Sequence, residues 1–214
     1  MPEAGFRRFY DLIPYLFLRF GQNLLKTQDC NDRHVALFTY HLTYVSRMKI
    51  GLLSDTHSFL DERIFEHFAQ CDEIWHAGDI GELAVATRLA AFKPFRAVFG
   101  NIDGRAVREQ HPENQRFACQ ELDVWMTHIG GYPPKYNPTV RKQLRDNPPD
   151  LFICGHSHIL RVMPDPTLKP NFLHMNPGAA GQEGFHTIRT VLRFEVNQKK
   201  ISNLEVVELG RRGR

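Results

Sequence analysis

The chain has 214 residues, of which 42% are hydrophobic, 24% charged and 11% aromatic; this mixture supplies one sizeable core and excludes collagen-like, low-complexity and wholly disordered chains. Its 27 Lys and Arg against 24 Asp and Glu leave a formal charge of +3, without the concentrated basic face of an electrostatic nucleic-acid binder. The 4 cysteines, at 30, 71, 119 and 154, form no C-x-x-C pair, so neither a disulfide framework nor a thiolate zinc site is indicated, and a reducing cytoplasm is the expected location.

The apolar run from Leu12 to Leu18 is stopped by Arg19, well short of the roughly 20 residues of a membrane-spanning helix. No small-residue cleavage site follows it, as a secretory signal requires, and no membrane role is expected. Residues 1–47 show no sustained helical or strand period. They are expected to be an N-terminal extension ahead of a natural start at Met48 or a poorly ordered appendage, with an amphipathic helix packed on the domain as the alternative. From Met48 the pattern sharpens. Ile50 to Leu53 reads as a short apolar strand, Leu60 to Gln70 as a helix, Glu73 to His76 as a strand, Gly81 to Phe92 as a helix and Phe95 to Phe99 as a strand. This βαβαβ order predicts a mainly parallel sheet. Further on, Arg116 to Leu122 and Asp123 to Thr127 read as paired strands, Thr139 to Asp146 as a short helix and Leu151 to Cys154 as a buried strand. Four later runs, Arg161 to Met163, Phe172 to Met175, Thr187 to Val196 and Lys200 to Leu209, suggest an antiparallel second sheet, with Asn197-Gln198-Lys199 turning the last pair. One domain over 48–209 is expected, followed by a solvated basic tail at 210–214.

The residues able to hold a metal sit where these strands end. Asp55-Thr-His57 follows the first strand, Gly78-Asp79 the second and Gly100-Asn101 the third; His128 follows Val124 to Thr127, and Gly155-His156-Ser-His158 follows Leu151 to Cys154. Open α/β sheets bind ligands at this edge. In an extended segment residues i and i+2 share a side, so Asp55 with His57, and His156 with His158, are expected to aim into one cavity. The neighbouring glycines are expected to permit sharp exits from the strands. Carboxylate and imidazole together suit manganese, iron, zinc, cobalt or nickel rather than calcium or copper(I). Asp55, His57, Asp79, Asn101, His128, His156 and His158 are too many donors for one tetrahedral ion and enough for two bridged by an aspartate. A lone D-x-H or H-x-H match is weak, and lone histidines such as His67, His76 and His111 are read as hydrogen-bonded core residues. Asp61 is read as a helix cap; Gly104-Arg105 and Asn176-Pro-Gly178 are read as turns.

The ordered series D-x-H, G-D, G-N, H and G-H-x-H resembles that of the calcineurin-like metallophosphoesterases, and most closely their small single-domain phosphodiesterases, which also carry a segment like His174-Met-Asn-Pro-Gly178. The resemblance covers residues 48 to about 209. It implies an α/β (α+β) fold of two packed β-sheets flanked by helices in a four-layer sandwich. It also implies that Asp79 bridges two divalent transition-metal ions, manganese first, with nickel, iron, cobalt or zinc as alternatives. Asp55, His57 and His158 would complete one ion, and Asn101, His128 and His156 the other.

Two such ions roughly 3.5–4 Å apart share a water, lower its pKa and neutralise charge on an attacked phosphoryl group. The expected nucleophile is therefore a metal-bound hydroxide acting on a small phosphate-ester substrate, with Asn101 presenting its amide to a phosphate oxygen. Many relatives carry a histidine after the asparagine to protonate the leaving group. Here Gly100-Asn101-Ile102-Asp103 has isoleucine there, so esters with acidic leaving groups are expected to react best, with His186 a conceivable donor. The segments Gly130 to Lys135 and Ala179 to His186 are the candidates for substrate contact. A binding scaffold of the same fold, like the related retromer subunit, is the alternative from another class, and a phosphomonoesterase is a third reading. The sequence fixes no oligomeric state.

Overall fold

The computed structural model describes residues 47–213. The reading of the leading segment as an extension or a packed helix falls on residues outside these, apart from Arg47. In chain order the elements are β1 (Met48–Leu53), α1 (Arg63–His67), β2 (Glu73–His76), α2 (Leu83–Phe92), β3 (Phe95–Ala97), α3 (Arg105–Arg108), β4 (Asn114–Cys119), β5 (Leu122–Thr127), β6 (Gly131–Tyr132), β7 (Lys135–Tyr136), α4 (Pro138–Asp146), β8 (Leu151–Ile153), β9 (Leu160–Pro164), β10 (Leu173–Pro177), β11 (Ile188–Asn197) and β12 (Lys200–Arg211). No helix among the described residues is long and apolar enough to cross a membrane.

Two five-stranded sheets carry the fold, ordered β12-β11-β1-β2-β3 and β4-β5-β8-β10-β9. The pairs β1–β2 and β2–β3 are parallel, as the βαβαβ pattern predicts. The expected antiparallel second sheet is corrected in two ways. The hairpin β11–β12 leaves it and pairs through β11 with β1, and β10 runs parallel to β8. The cause is in β1, whose side chains are buried on both faces. Ile50 and Leu52 pack between the sheets, while Leu53 lies under the helices. A strand so placed is central, and β11, with Leu192 and Phe194 facing one way and Val191 the other, covers its free edge.

Strand alternation then yields four layers. Val124, Met126, Leu151, Ile153 and Met175 meet Ile50, Leu52 and Trp75 between the sheets. Ile64, Phe68, Val85 and Leu89 of the α1 and α2 region cover one outer face, and Val140 and Leu144 of α4 pack with Trp125, Phe152 and Phe172 on the other. Each fully buried Leu, Ile or Phe contributes roughly 1.5–3 kcal/mol, which makes this stack the main source of rigidity. Shorter helices than the sequence suggests reflect local conflicts. Gly81, at φ +89, lies outside α2, and Asp61 turns the chain into α1 by accepting the Arg63 N–H at 3.0 Å while pairing with buried Arg189 at 2.8 Å. Gly104-Arg105, expected as a turn, instead starts α3, with Gly104 as its N-cap.

His174, on β10, is fully buried beside Phe152 and Tyr136, and neither ring nitrogen meets a protein partner. Burial pushes its pKa down to about 4, Arg161 adds to the shift, and Asp165 opposes it. An unfolded histidine titrates near 6.5, so between about 6.5 and 4 the unfolded chain takes up more protons, and stability is lost as pH falls through that window. His174→Leu is expected to flatten the fall in urea midpoint between pH 6.5 and 4; a slope equal to that of the unaltered chain would refute this origin.

Candidate metal centre

The C-terminal ends of β1, β2, β3, β5 and β8 meet at one edge of the sandwich, and the loops that leave them are laced together. Asp55 N–H donates to Gly78 O at 3.0 Å, His57 N–H to Asp79 O at 3.0 Å, and Gly155 N–H to His128 O at 3.0 Å. The His156 N–H donates to both oxygens of Asp55 at 3.2 Å.

Extended alternation does not aim the side chains. Asp55, His57, Asp79, His156 and His158 all have φ between +45 and +67. They are five of the nine non-glycine residues in this left-handed region among the described residues. Such a conformation costs on the order of 1–3 kcal/mol per residue and persists where surroundings over-determine it, as the crossing hydrogen bonds do here. The expectation of i, i+2 alternation is therefore replaced by left-handed turns, because each chain must reverse immediately after its strand.

Two of the glycines serve close approach rather than a sharp exit. A Cβ on Gly100 would overlap Asp79 Oδ1, and one on Gly155 would overlap Ser54 Oγ; neither glycine has positive φ, whereas Gly78 does, at +95.

The side chains form two groups that share Asp79. Asp55, His57, Asp79 and His158 make one, and Asp79, His128 and His156 the other, with ligand atoms in each within 4.8 Å of one another. In the first, His158 Nε2 lies 3.2 Å from Asp55 Oδ1, His57 Nε2 lies 3.3 Å from His158 Nε2, and His57 Nε2 lies 3.6 Å from Asp79 Oδ2. In the second, His128 Nε2 lies 3.1 Å from both Asp79 Oδ1 and Asn101 Oδ1. Donors bound to one ion at about 2.0–2.2 Å are themselves about 3–3.6 Å apart, so these spacings fit an ion in each group. The seven residues picked out by the sequence thus converge, with Asn101 beside the second group.

The charges make the same case. Asp55 is fully buried and Asp79 is 2% exposed, and among the described residues neither pairs with Lys or Arg; buried carboxylates need a cation. Burial weighs most on Asp79 and favours its neutral form, but His128, the Ile102 N–H at 3.1 Å and His57 together hold its pKa below the ordinary value. On His128 burial is again the largest influence, yet Asp79 and Asp55 outweigh it and raise the pKa. The Asp55 hydrogen bond raises that of His158, whereas burial lowers that of His156. Protons would therefore compete with a divalent cation for His128 and His158.

Several residues that act here were not among the candidate site residues. Asp103 accepts N–H bonds from Gly81 at 2.6 Å and Gly100 at 2.7 Å, fixing the Asn101 loop. Arg108 donates to the backbone oxygens of Asp103, Gly100 and Asn101 at 2.6, 3.1 and 3.2 Å. Asn176, read as part of a turn, lies on β10, and its Nδ2 donates to Gly155 O at 2.8 Å and Ser157 Oγ at 3.1 Å, steadying the His156–His158 loop. Asp103 and Asn176 stood in the segments 100–103 and 174–178 without a role assigned to them, and Arg108 had no signal in the sequence. His76 matches its core reading, with Thr56 Oγ1 at 3.0 Å and the Gly78 N–H at 3.2 Å. His111 is half in line with it, since its Nε2 is buried without a partner.

Of the two candidate substrate segments, Ala179 to His186 borders the first group: Glu183 Oε2 is 3.8 Å from His57 Nδ1, and the His186 and His158 rings are 5.3 Å apart. Gly130 to Lys135 forms the small β6–β7 ribbon, where Arg161 lies 3.9 Å over the Tyr132 ring.

Residues 48–199 match the calcineurin-like phosphoesterase superfamily domain. A probable metallophosphoesterase of Methanothermobacter thermautotrophicus is 30% identical over 139 residues, covering 62% of this chain and 77% of that one. A second, from Methanocaldococcus jannaschii, is 26% identical over 129 residues, and the chain spans 65% of its length. In three dimensions the chain resembles an archaeal phosphodiesterase (TM-score 0.60, 22% identity, 76% of this chain and 100% of that) and zinc-complexed Vps29 from Entamoeba histolytica (TM-score 0.59, 14% identity, 78% and 100%).

Gly100→Ala is expected to weaken manganese binding at least tenfold in calorimetry while the far-ultraviolet circular dichroism is kept, because the added methyl displaces the Asp79 carboxylate; wild-type affinity would show that this carboxylate holds no ion.

Proposed function

The chain belongs to the calcineurin-like phosphoesterase superfamily, and on that premise we propose that it is a dinuclear metal-dependent phosphodiesterase. The observation that carries this reading is Asp79, a buried carboxylate shared by two imidazole-rich groups with no Lys or Arg among the described residues to balance it. Asp55, His57 and His158 would hold one divalent ion with Asp79, and Asn101, His128 and His156 the other; manganese is the proposed metal, with nickel, iron, cobalt and zinc as alternatives. When bound, the pair supplies Lewis acidity that lowers the pKa of a water and neutralises charge on the phosphoryl group.

The protein's own part is to position and to exclude. The αL turns and their crossing hydrogen bonds fix the ligands before any ion arrives, so little reorganisation remains at the moment of reaction. Asn101 turns its Oδ1 toward His128, which leaves its Nδ2 to donate to a phosphate oxygen. The leaving group has no proton donor at position 102, where the Ile102 side chain is 45% exposed. His186 does not replace it. Its Nε2 is 3.1 Å from Gly181 O, which takes up that N–H, and burial shifts the ring toward its neutral form, so its proton is engaged. The zinc complex of the Vps29 neighbour supports metal binding on this fold, and a purely scaffolding role would leave five strained ligand positions without a purpose. The catalytic domain is proposed as residues 48–209, and the three described cysteines, all free and buried, suit a reducing cytoplasm.

Metal-stripped protein reloaded with manganese, nickel or zinc is expected to hydrolyse bis(p-nitrophenyl) phosphate, and Asp79→Ala to lose on the order of a hundredfold or more in rate. An unchanged rate in the variant would eliminate the bridging role. Aryl diesters are expected to react at least tenfold faster than alkyl diesters of similar size; equal rates would mean that a proton donor does serve the leaving group.

A further inference from the structure

Beside the second ligand group lies a cleft of about 330 Å³ lined by Asn101 and His128 and by Asn137, Thr139, Val140 and Gln143 at the start of α4. This is within the size of small-molecule pockets, roughly 300–1,000 Å³. Neither segment that the sequence offered for substrate contact lines it. Resting on the phosphodiesterase reading, we propose that this cleft holds the ester arm that stays on the phosphate, and that the arm is an uncharged group rich in hydrogen-bonding atoms, of nucleoside or sugar size.

The walls decide the chemistry. Asn114 and Gln143 are exposed, line the cleft, and have side-chain amides without a hydrogen-bond partner among the described residues. Trp125 is 3% exposed and lines it too, and its indole N–H meets no acceptor among the described residues. An apolar arm would strand these donors and acceptors on binding, a loss that a hydrogen-bonding arm avoids. A second anion is disfavoured as well. Arg108, the cation of the cleft, already spends Nε and Nη2 on the backbone of the Asn101 loop, and Glu113 on the same wall opposes negative charge. Gln143 and Asn114 are the specificity-determining residues on this reading, since they offer both donors and acceptors and sit where the arm would lie.

The test uses p-nitrophenyl phosphodiesters that share one leaving group and differ in the arm: methyl, cyclohexylmethyl, thymidin-5′-yl and glucos-6-yl. The two polar arms are expected to lower KM at least tenfold relative to both others, and the better of the two tells nucleoside from sugar. Gln143→Leu and Asn114→Leu should each bring the polar-to-methyl ratio of kcat/KM down several-fold. Equal KM for all arms, a preference for cyclohexylmethyl, or ratios unmoved in both variants would overturn the proposal. Calorimetry with the manganese-loaded protein reads the cleft without turnover: thymidine 5′-monophosphate or glucose 6-phosphate should bind at least tenfold tighter than methyl phosphate, and equal binding overturns it. Should no ester be cleaved with any metal while this binding preference holds, the phosphodiesterase reading fails and the cleft assignment stands.

Discussion

Asp79 is the constraint around which the rest is arranged. Its carboxylate is almost wholly buried, faces His57 on one oxygen and His128 on the other, and has no Lys or Arg among the described residues to neutralise it. Such a charge is tolerated in a protein interior only when hydrogen bonds and a counter-charge meet it. The Ile102 N–H provides one such bond. Gly100 leaves room for it by having no side chain. The surrounding imidazoles are the kind of donor that a divalent cation beside this carboxylate would take.

The two-sheet stack makes that arrangement possible. In one sheet β1, β2 and β3 run parallel, in the other β5, β8 and β10 do, so the strand ends of both sheets that carry the ligands open at a shared edge. The packed layers between and outside the sheets hold those ends still. This rigidity supports five left-handed residues whose conformations would be unfavourable in isolation. Strain is concentrated where the chemistry is, and the hydrophobic layers that offset it lie along the strands.

Around this edge a set of polar latches fixes the loops. Asp103 ties the Gly81 and Gly100 turns together, Arg108 clamps the same loop through three carbonyls, and Asn176 reaches from β10 to the Gly155–Ser157 turn. None of these touches the ligand atoms directly. They determine instead how closely Asn101, His156 and His158 approach Asp79, and Arg108 also forms a wall of the adjacent cleft. One residue thus couples the metal groups to the place where the rest of the substrate would lie.

The amino-acid order by itself determined the family, the βαβαβ opening and the seven residues that gather at the site, because metal chemistry needs given donor types and strand ends recur at legible breaks in hydrophobic pattern. Tertiary structure alone decided that the last hairpin covers the edge of β1 instead of extending the other sheet, since strand pairing across more than a hundred residues depends on which edge is left open. It also decided that the ligands reach their positions through αL turns and that Asp103, Arg108 and Asn176 serve the site. A turn's handedness and a latch's partner arise from contacts between loops distant in sequence, and local residue preferences carry no record of them.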